Sequence, residues 1–353
     1  MATRRRRSTG DSELDRRLDE VIDAVHAGAD RDLIFEILAT GVRLADDAAD
    51  RLDLKIAAAT LKEMRQAFRT FAPYRLRSKV TIFGSARTRP EDPLYVQARD
   101  FAAAMARRDW MVVTGAGPGI MAAGMEGAGR ERSIGVAIRL PFEQTSNPFI
   151  ADDEKLVSMK YFFTRKLMLV KESKAFVCLP GGFGTLDETF ELLTLTQTGK
   201  GVPVPIVLLD VPGGTYWSHF SRFVAEELVS RGLVQPSDLR LYVVTDDIDQ
   251  ACEEVCRFYV NFDSMRYVGD TLVLRLMHDP TDTQLAELNE RFGRLLKRGV
   301  IERTAPLSVE IDEDDRVDLP RIRLEFAKRY FGQLRELIDA VNGFAPAQSS
   351  SAS

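Results

Sequence analysis

The sequence predicts an α/β fold: a doubly wound parallel sheet, preceded by helices and followed by a small α/β unit. Three observations carry that expectation. From Lys79 onward, short apolar runs ("KVTIFGSA", "WMVVTGAG", "SIGVAIRL", "KAFVCLPGG", "VPIVLLD" and "LRLYVVT") alternate with amphipathic stretches, and runs without polar alternation suit strands buried on both faces. Three of those runs end in small residues, "FGSA" at 83–86, "TGAGPGIM" at 114–121 and "LPGGFGT" at 179–185, where a parallel sheet binds its ligands. The chain, at 353 residues with 45% hydrophobic content, also exceeds one ordinary core, so more than one packed unit is expected.

Taken in order, residues 1–10 form a basic tail containing "TRRRR", expected to be disordered. Residues 11–74 read as helical, with Leu14, Leu18, Val21 and Val25, then Leu61, Met64, Phe68 and Phe71, recurring at helical spacing. The sheet domain takes 75–265, with helices expected over 94–107, 120–130, 161–172, 185–198, 216–231 and 248–259. Residues 266–343 read as a β-α-β-α unit: a strand in "TLVLRLMH", a helix through Leu285, Leu288, Phe292 and Leu295, a strand through Leu307, Val309 and Ile311, and a helix to Val341. The tail 344–353 is too small and polar to order itself.

Net charge −5 and pI near 5.5 give no basic footprint, so nucleic acid is not an expected partner. No apolar run approaches a membrane span of about 18 residues, and Ser8–Asp11 follow the arginines where a signal peptide would be apolar; a cytoplasmic protein without membrane contact is expected. Cys252 and Cys256 lie one helical turn apart with no histidine nearby and read as core, not zinc ligands. His26, His219 and His278 fall outside the glycine-rich motifs, so no histidine acid or base, no metal and no cofactor are assigned.

The chemistry concentrates at the strand ends. Gly181, Gly182 and Gly184 precede a helix expected to start near Thr185; bare backbone and a helix N-terminus together suit a phosphate. Gly84, Ser85, Gly115 and Gly117 are expected to converge on the same edge. The glycines at 115, 117 and 119 do not make G-x-G-x-x-G, and the third strand ends in "GVAIRL" with no acid for a ribose, so a dinucleotide site is doubtful. Gly199-Lys200 is no P-loop, because Thr194 stands at the first glycine and Gly201 follows the lysine. A monophosphate is the expected guest. By spacing alone Thr185 and Glu188 favour a capping box, with Glu188 returning to the Thr185 backbone; a glutamate reaching past a phosphate to its sugar is the alternative. Arg165 shares a helix face with Phe162 and Leu169; a solvated surface arginine is one reading, and an arginine with an anion or carboxylate to meet is the one those apolar neighbours favour.

"PGGFGTLDE" at 180–188 matches PGGxGTxxE and, with Arg165-Lys166 and "GAGPGIM" upstream, resembles the Lonely Guy (LOG) family over about 79–262. The resemblance implies a Rossmann-like fold, a homodimer or higher homo-oligomer, and hydrolysis of the N-glycosidic bond of AMP-like or cytokinin-type nucleoside 5′-monophosphates to free base and ribose 5-phosphate. It places the catalytic pair on Arg165 and Glu188 and substrate contacts on Lys166, Gly181, Gly182, Phe183, Gly184, Thr185 and Thr194, with a further acidic contact near Glu143. Ala116 stands where the family has its second glycine. A non-hydrolytic nucleotide carrier or sensor is the alternative function. The family's older lysine decarboxylase label would require a Schiff-base lysine, and Lys166 and Lys174 have no surroundings of that kind.

Overall fold

The computed structural model describes residues 8–25, 28–140 and 146–344. Most of the two tails and Glu143 therefore lie outside the described residues. The chain divides into two compact units, residues 1–65 and 66–353.

In the first unit, α1 (Ser12–Ala24) starts at Asp11, whose carboxylate accepts from the Glu13 and Leu14 amides, the ordinary N-cap arrangement. Its buried contact is Ile22, which packs with Leu18 on Phe35 and Ala39 of α2 (Arg31–Asp46). Leu14, Val21 and Val25, expected on the buried stripe, are exposed. The stripe facing α2 runs one residue further round the helix. α3 (Arg51–Phe71) crosses the boundary between the units in sequence, and its last turns bury Ala67 and Phe71 among side chains of the large sheet.

The second unit holds that sheet: β1 (Lys79–Phe83), β2 (Met111–Thr114), β3 (Ser133–Ile138), β4 (Leu156–Met159), β5 (Ala175–Cys178), β6 (Ile206–Leu209) and β7 (Val243–Thr245). All pairings are parallel, in the order β4-β3-β2-β1-β5-β6-β7, and the Rossmann-like α/β fold is as expected. One face packs against α4 (Pro93–Arg107), α5 (Ile120–Ala128) and α9 (Ile248–Arg257) through Val80, Ile82, Val112 and Val177. The other face meets α6 (Phe162–Lys171), α7 (Phe183–Gln197) and α8 (Tyr216–Phe223) through Phe83, Val113, Val136 and Phe176. The sequence pattern shows six of the seven strands. It misses β4, a four-residue edge strand that alternates half-buried and buried positions and has no continuous apolar run.

The chain leaves β1 towards β2 and leaves β5 towards β6, in opposite directions along the sheet. A crevice must therefore open between the carboxyl ends of β1 and β5, the switch point where such sheets bind ligands.

A second, antiparallel sheet ends the chain, with β8 (Phe262–Val268), β9 (Thr271–Leu276), β10 (Leu296–Arg303) and β11 (Arg321–Phe326) in the order β10-β11-β9-β8. α10 (Asp282–Phe292) and α12 (Phe331–Asn342) cover it, burying Leu274, Leu324 and Phe326 against Leu288, Leu334 and Ile338. β8 runs across position 265 and pairs wholly with β9. The strand expected through Leu307, Val309 and Ile311 is instead a short helix, α11 (Ser308–Asp312). Its apolar alternation is overridden by Glu310, which is fully buried with one oxygen on the Leu307 amide and the other between Arg275 and Arg321. Folding the segment into a turn is what brings that carboxylate onto both guanidiniums.

Burial pushes the Glu310 carboxyl up, but the Leu307 amide and the two arginines outweigh it and hold it below its ordinary range. A group depressed in this way stabilises the fold above its unfolded pKa, and the contribution is lost only as pH falls through the folded value. Glu310→Ala leaves two buried guanidiniums short of their counter-ion and is expected to cost about 3 kcal/mol or more at neutral pH. Urea unfolding at pH 7 measures this; a loss under about 1 kcal/mol would mean Asp315, which also bonds Arg275, suffices alone.

Candidate active site

A cavity of about 880 Å³ lies at the switch point, walled by 83–87 after β1, Gly115 and Met121 around the start of α5, Phe162 and Arg165 of α6, and 181–188 after β5. It brings together Gly84, Ser85, Gly115, Arg165, Gly181, Gly182, Phe183, Gly184, Thr185 and Glu188. Gly117 lines an adjoining space of about 560 Å³ that shares Gly115, Met121, Phe162 and Arg165. Two expected residues lie off the cavity wall. Thr194 is exposed further along α7, its hydroxyl spent on the Phe190 carbonyl. Lys166 points its ammonium at Asp187 and Glu191, at 2.6 and 2.7 Å.

The glycines separate into two kinds. A Cβ on Gly84 would stand 2.6–2.7 Å from the Ile120 side chain, one on Gly181 would overlap Thr185 and come within 2.9 Å of the Ser85 amide, and one on Gly115 would overlap the Arg165 guanidinium. Those three are demanded by the chain's own packing. At Gly182 and Gly184 a Cβ would meet nothing within 4 Å, and neither has positive φ. Their bareness serves no contact inside the protein and leaves backbone open to the cavity.

The start of α7 differs from the sequence expectation. The helix begins at Phe183 with Gly182 as N-cap, two residues earlier than Thr185, and no side chain caps it. The T-x-x-E spacing therefore makes no capping box. Thr185 and Glu188 sit inside the helix, and the first-turn amides, which have no i−4 carbonyl of their own, receive nothing from a side chain.

Glu188 is thereby released to the cavity. Its side chain is 12% exposed, its nearest cation is the Lys166 ammonium at 3.8 Å, and its Oε2 has no hydrogen-bond partner. Burial pushes its pKa up to about 7, opposed by Lys166 and Arg165 and reinforced by Glu191 and Asp187. Arg165 is pinned from the opposite wall: Nε donates to the Val136 carbonyl at 2.9 Å and Nη2 to that of Gly115 at 3.4 Å. Among the described residues no carboxylate lies within ion-pair distance of it. Burial lowers its pKa, with Glu188 partly opposing, yet a guanidinium remains charged at neutral pH. The cavity wall thus sets the Arg165 guanidinium and the titratable Glu188 carboxyl on opposite sides, neither satisfied by the other.

The family model described as "Possible lysine decarboxylase" matches residues 119–255. The cytokinin riboside 5′-monophosphate phosphoribohydrolase of Mycobacterium marinum is 30% identical over 174 residues, 48% of this chain and 88% of its own length; that of Mycobacterium tuberculosis is 31% identical over 161 residues, 44% of this chain and 81% of its own. The chain belongs to the LOG family. Among solved structures, the molybdenum cofactor carrier protein of Chlamydomonas reinhardtii matches 51% of this chain and 97% of its own at 20% identity and a TM-score of 0.36, a likeness too slight to bear on function.

In this LOG-family chain the sequence motifs overlook Tyr216 and Asp210. The Tyr216 hydroxyl donates to the Gly181 carbonyl at 2.7 Å and its amide to Asp210, at the end of β6. Together they hold the glycine loop from below. The only sequence signal is the acid closing "VPIVLLD", which has no fixed spacing to the motif.

Substitution at the two kinds of glycine should part stability from binding. Gly182→Ala and Gly184→Ala are expected to unfold within a few °C of the parent but to lose AMP affinity, whereas Gly181→Ala should lower Tm clearly. Differential scanning fluorimetry with calorimetric AMP titration reads both; Gly184→Ala binding AMP as the parent does would mean that this backbone faces no ligand.

Proposed function

We propose that the protein is a nucleoside 5′-monophosphate phosphoribohydrolase, cleaving the N-glycosidic bond of an AMP-like or cytokinin-type substrate with water to give free base and ribose 5-phosphate. One observation carries this reading: the uncapped first turn of α7 and Glu188 open into the same cavity from a single helix. Phe183 to Glu188 is a rise of about 7.5 Å along an α-helix. A phosphate on the first-turn amides therefore leaves the carboxylate beside the sugar and away from the phosphoryl charge.

In this mechanism the departing base draws electrons from the ribosyl carbon, and positive charge grows on the sugar ring. Ionised Glu188 stabilises that charge and orients the attacking water, whose oxygen bonds the carbon as the base leaves with the bonding pair; the proton the water gives up ends on the nitrogen of the departing base. Arg165 supplies positive charge to an electron-rich part of the substrate. Family membership supports the assignment. So does the poor fit of a pyridoxal phosphate decarboxylase, since Lys174 precedes β5 at the end of the sheet opposite the cavity and lies over the Tyr259 ring, and Lys166 is occupied by carboxylates.

No helix among the described residues is long and apolar enough to cross a membrane. We place the enzyme in the cytoplasm as a homodimer or higher homo-oligomer, in keeping with Phe162, Phe163, Leu167 and Phe190 exposed on α6 and α7.

Incubation with AMP and chromatography of the products is expected to show adenine and ribose 5-phosphate in equal amounts. Arg165→Ala and Glu188→Gln should each lower kcat at least about 100-fold, the scale of losing one electrostatic group in a closed site. Tight AMP binding without adenine release would make the protein a nucleotide carrier or sensor instead.

A second prediction follows from the raised pKa of Glu188. A buried carboxyl that titrates near 7 costs no stability while protonated in both states, below about 4.5; its penalty grows through the interval and is complete above about 7. Glu188→Gln should thus match the parent near pH 4 and exceed it at pH 8 by up to the order of 3 kcal/mol. Activity should run the other way in the parent, kcat/KM rising with pH through about 7. A flat stability difference across that range would show that Glu188 is not buried as a titrating carboxyl.

A further inference from the structure

The LOG resemblance makes Lys166 a substrate contact, and the structure gives it another task. Its side chain is 18% exposed and absent from the cavity wall. Asp187 accepts a hydrogen bond from the ammonium at 2.6 Å, Glu191 Oε2 pairs with it at 2.7 Å without hydrogen-bond geometry, and Glu188 Oε2 stands further off at 3.8 Å. Asp187, Glu188 and Glu191 occupy neighbouring positions on one helix, 188 and 191 three apart on the same face. Three carboxylates so placed repel one another, and among the described residues Lys166 is the ion-pair partner they share.

We propose that Lys166, tethered by Asp187 and Glu191, is a positioning residue that holds Glu188 ionised and in place at the cavity wall, and that Glu191 belongs to this machinery as the arm that sets how close the ammonium comes. The role of Glu188 in hydrolysis rests on the function proposed above; the electrostatic coupling of the four side chains does not. The groups facing Glu188 are Lys166 and Arg165 on α6, Asp187 and Glu191 on its own helix, and the buried Cys178 thiol of β5. Cys178 is pushed up to about 12 by burial and stays neutral across the working range. Arg165 has spent Nε and Nη2 on backbone carbonyls. Lys166 is therefore the cation whose position the carboxylates can adjust.

Lys166 and Glu191 act on Glu188 in opposite senses. Without Lys166, the repulsion among the carboxylates is uncompensated and Glu188 keeps its proton to higher pH. Without the charge of Glu191, repulsion falls and the ammonium is free to close on Glu188, which then ionises at lower pH. Asp187, exposed to solvent, should matter less than Glu191.

The test is a carbon-13 carboxyl titration of the ligand-free protein, with the Glu188 resonance assigned by its loss in Glu188→Gln, alongside pH–rate profiles on AMP. Lys166→Met is expected to raise the Glu188 midpoint by about one pH unit or more and to shift the rising limb of kcat/KM equally. Glu191→Gln should lower both, and Lys166→Arg should restore most of the parent midpoint. If Lys166→Met raises KM for AMP and leaves the Glu188 midpoint where it was, the lysine is a substrate contact and the proposal is overturned. A midpoint that moves as stated in a protein releasing no base from any nucleoside monophosphate would uphold the coupling and refute the hydrolase assignment. Should Lys166→Met fail to fold, Glu191→Gln decides, since an unmoved midpoint there overturns the proposal by itself.

Discussion

The cavity depends on the backbone of a single residue, Ser85. Its amide donates to the Pro180 carbonyl at 3.3 Å, and its carbonyl accepts from the Ile120 amide at 3.0 Å. Three strand-end loops, after β1, β2 and β5, are thereby tied at one point, each using a peptide group that would otherwise be unpaired at a sheet edge. The tie is possible only where the chains approach without side chains. Gly119 has φ 68° and runs against the Ser85 carbonyl and Ala86, and Gly181 lies against the Ser85 amide. A Cβ at either would push apart the loops that wall the cavity.

From that tie the rest of the site follows through α7. Its first turn and Glu188 belong to one rigid element, so the spacing between an anion on the amides and the carboxylate is a property of helix geometry and needs no loop to maintain it. The helix is held at both ends. Tyr216 and Asp210 grip the loop before it, and at its far end the Gln197 amide bonds Asp238 at 2.6 Å while Gly199 packs directly on the Phe331 ring of α12. Gly332 lies equally close to the Ser237 carbonyl. The antiparallel unit, which carries no reactive constellation of its own, thus helps to fix the helix that bears the chemistry. A carboxyl buried on so constrained a helix cannot turn out to solvent, which is why its environment raises its pKa where an exposed glutamate would be unaffected.

How much of this was legible in the sequence differs by residue. The sheet could be read because strands buried on both faces leave continuous apolar runs, and the cavity because its glycines and small residues stand at strand ends. The start of α7 could not: T-x-x-E is the pattern of a capping box, and nothing in the spacing reveals that Gly182 is the N-cap. The segment 307–311 was misread for a related reason. Its apolar alternation is that of a strand, but the fate of Glu310 is decided by Arg275 and Arg321, 35 and 11 positions away. Long-range charge pairing leaves no local period. Tyr216 and Asp210 were missed on the same grounds, and Thr194, aligned by its distance from the motif, turned out to lie on the exposed side of α7.

Ala116 shows how a departure from a family pattern can be absorbed. It takes φ 59°, in the left-handed region that favours glycine, at a cost of roughly 1 kcal/mol for a residue with a Cβ. Glycine would bear no such cost; here the surroundings of the alanine offset it. The Ala116 methyl is buried with Met125 and Ile150, its amide bonds the Thr114 hydroxyl at 3.0 Å, and its carbonyl accepts from the Asn147 amide at 2.9 Å. Asn147 also donates its side-chain amide to the Gly117 carbonyl. The alanine is therefore locked into the strained conformation from three sides. A rigid 115–117 backbone is what Arg165 needs, because one of its two anchors is the Gly115 carbonyl and the space it occupies exists only while Gly115 keeps that place. The substitution leaves the guanidinium's seat intact and makes the loop that forms it stiffer.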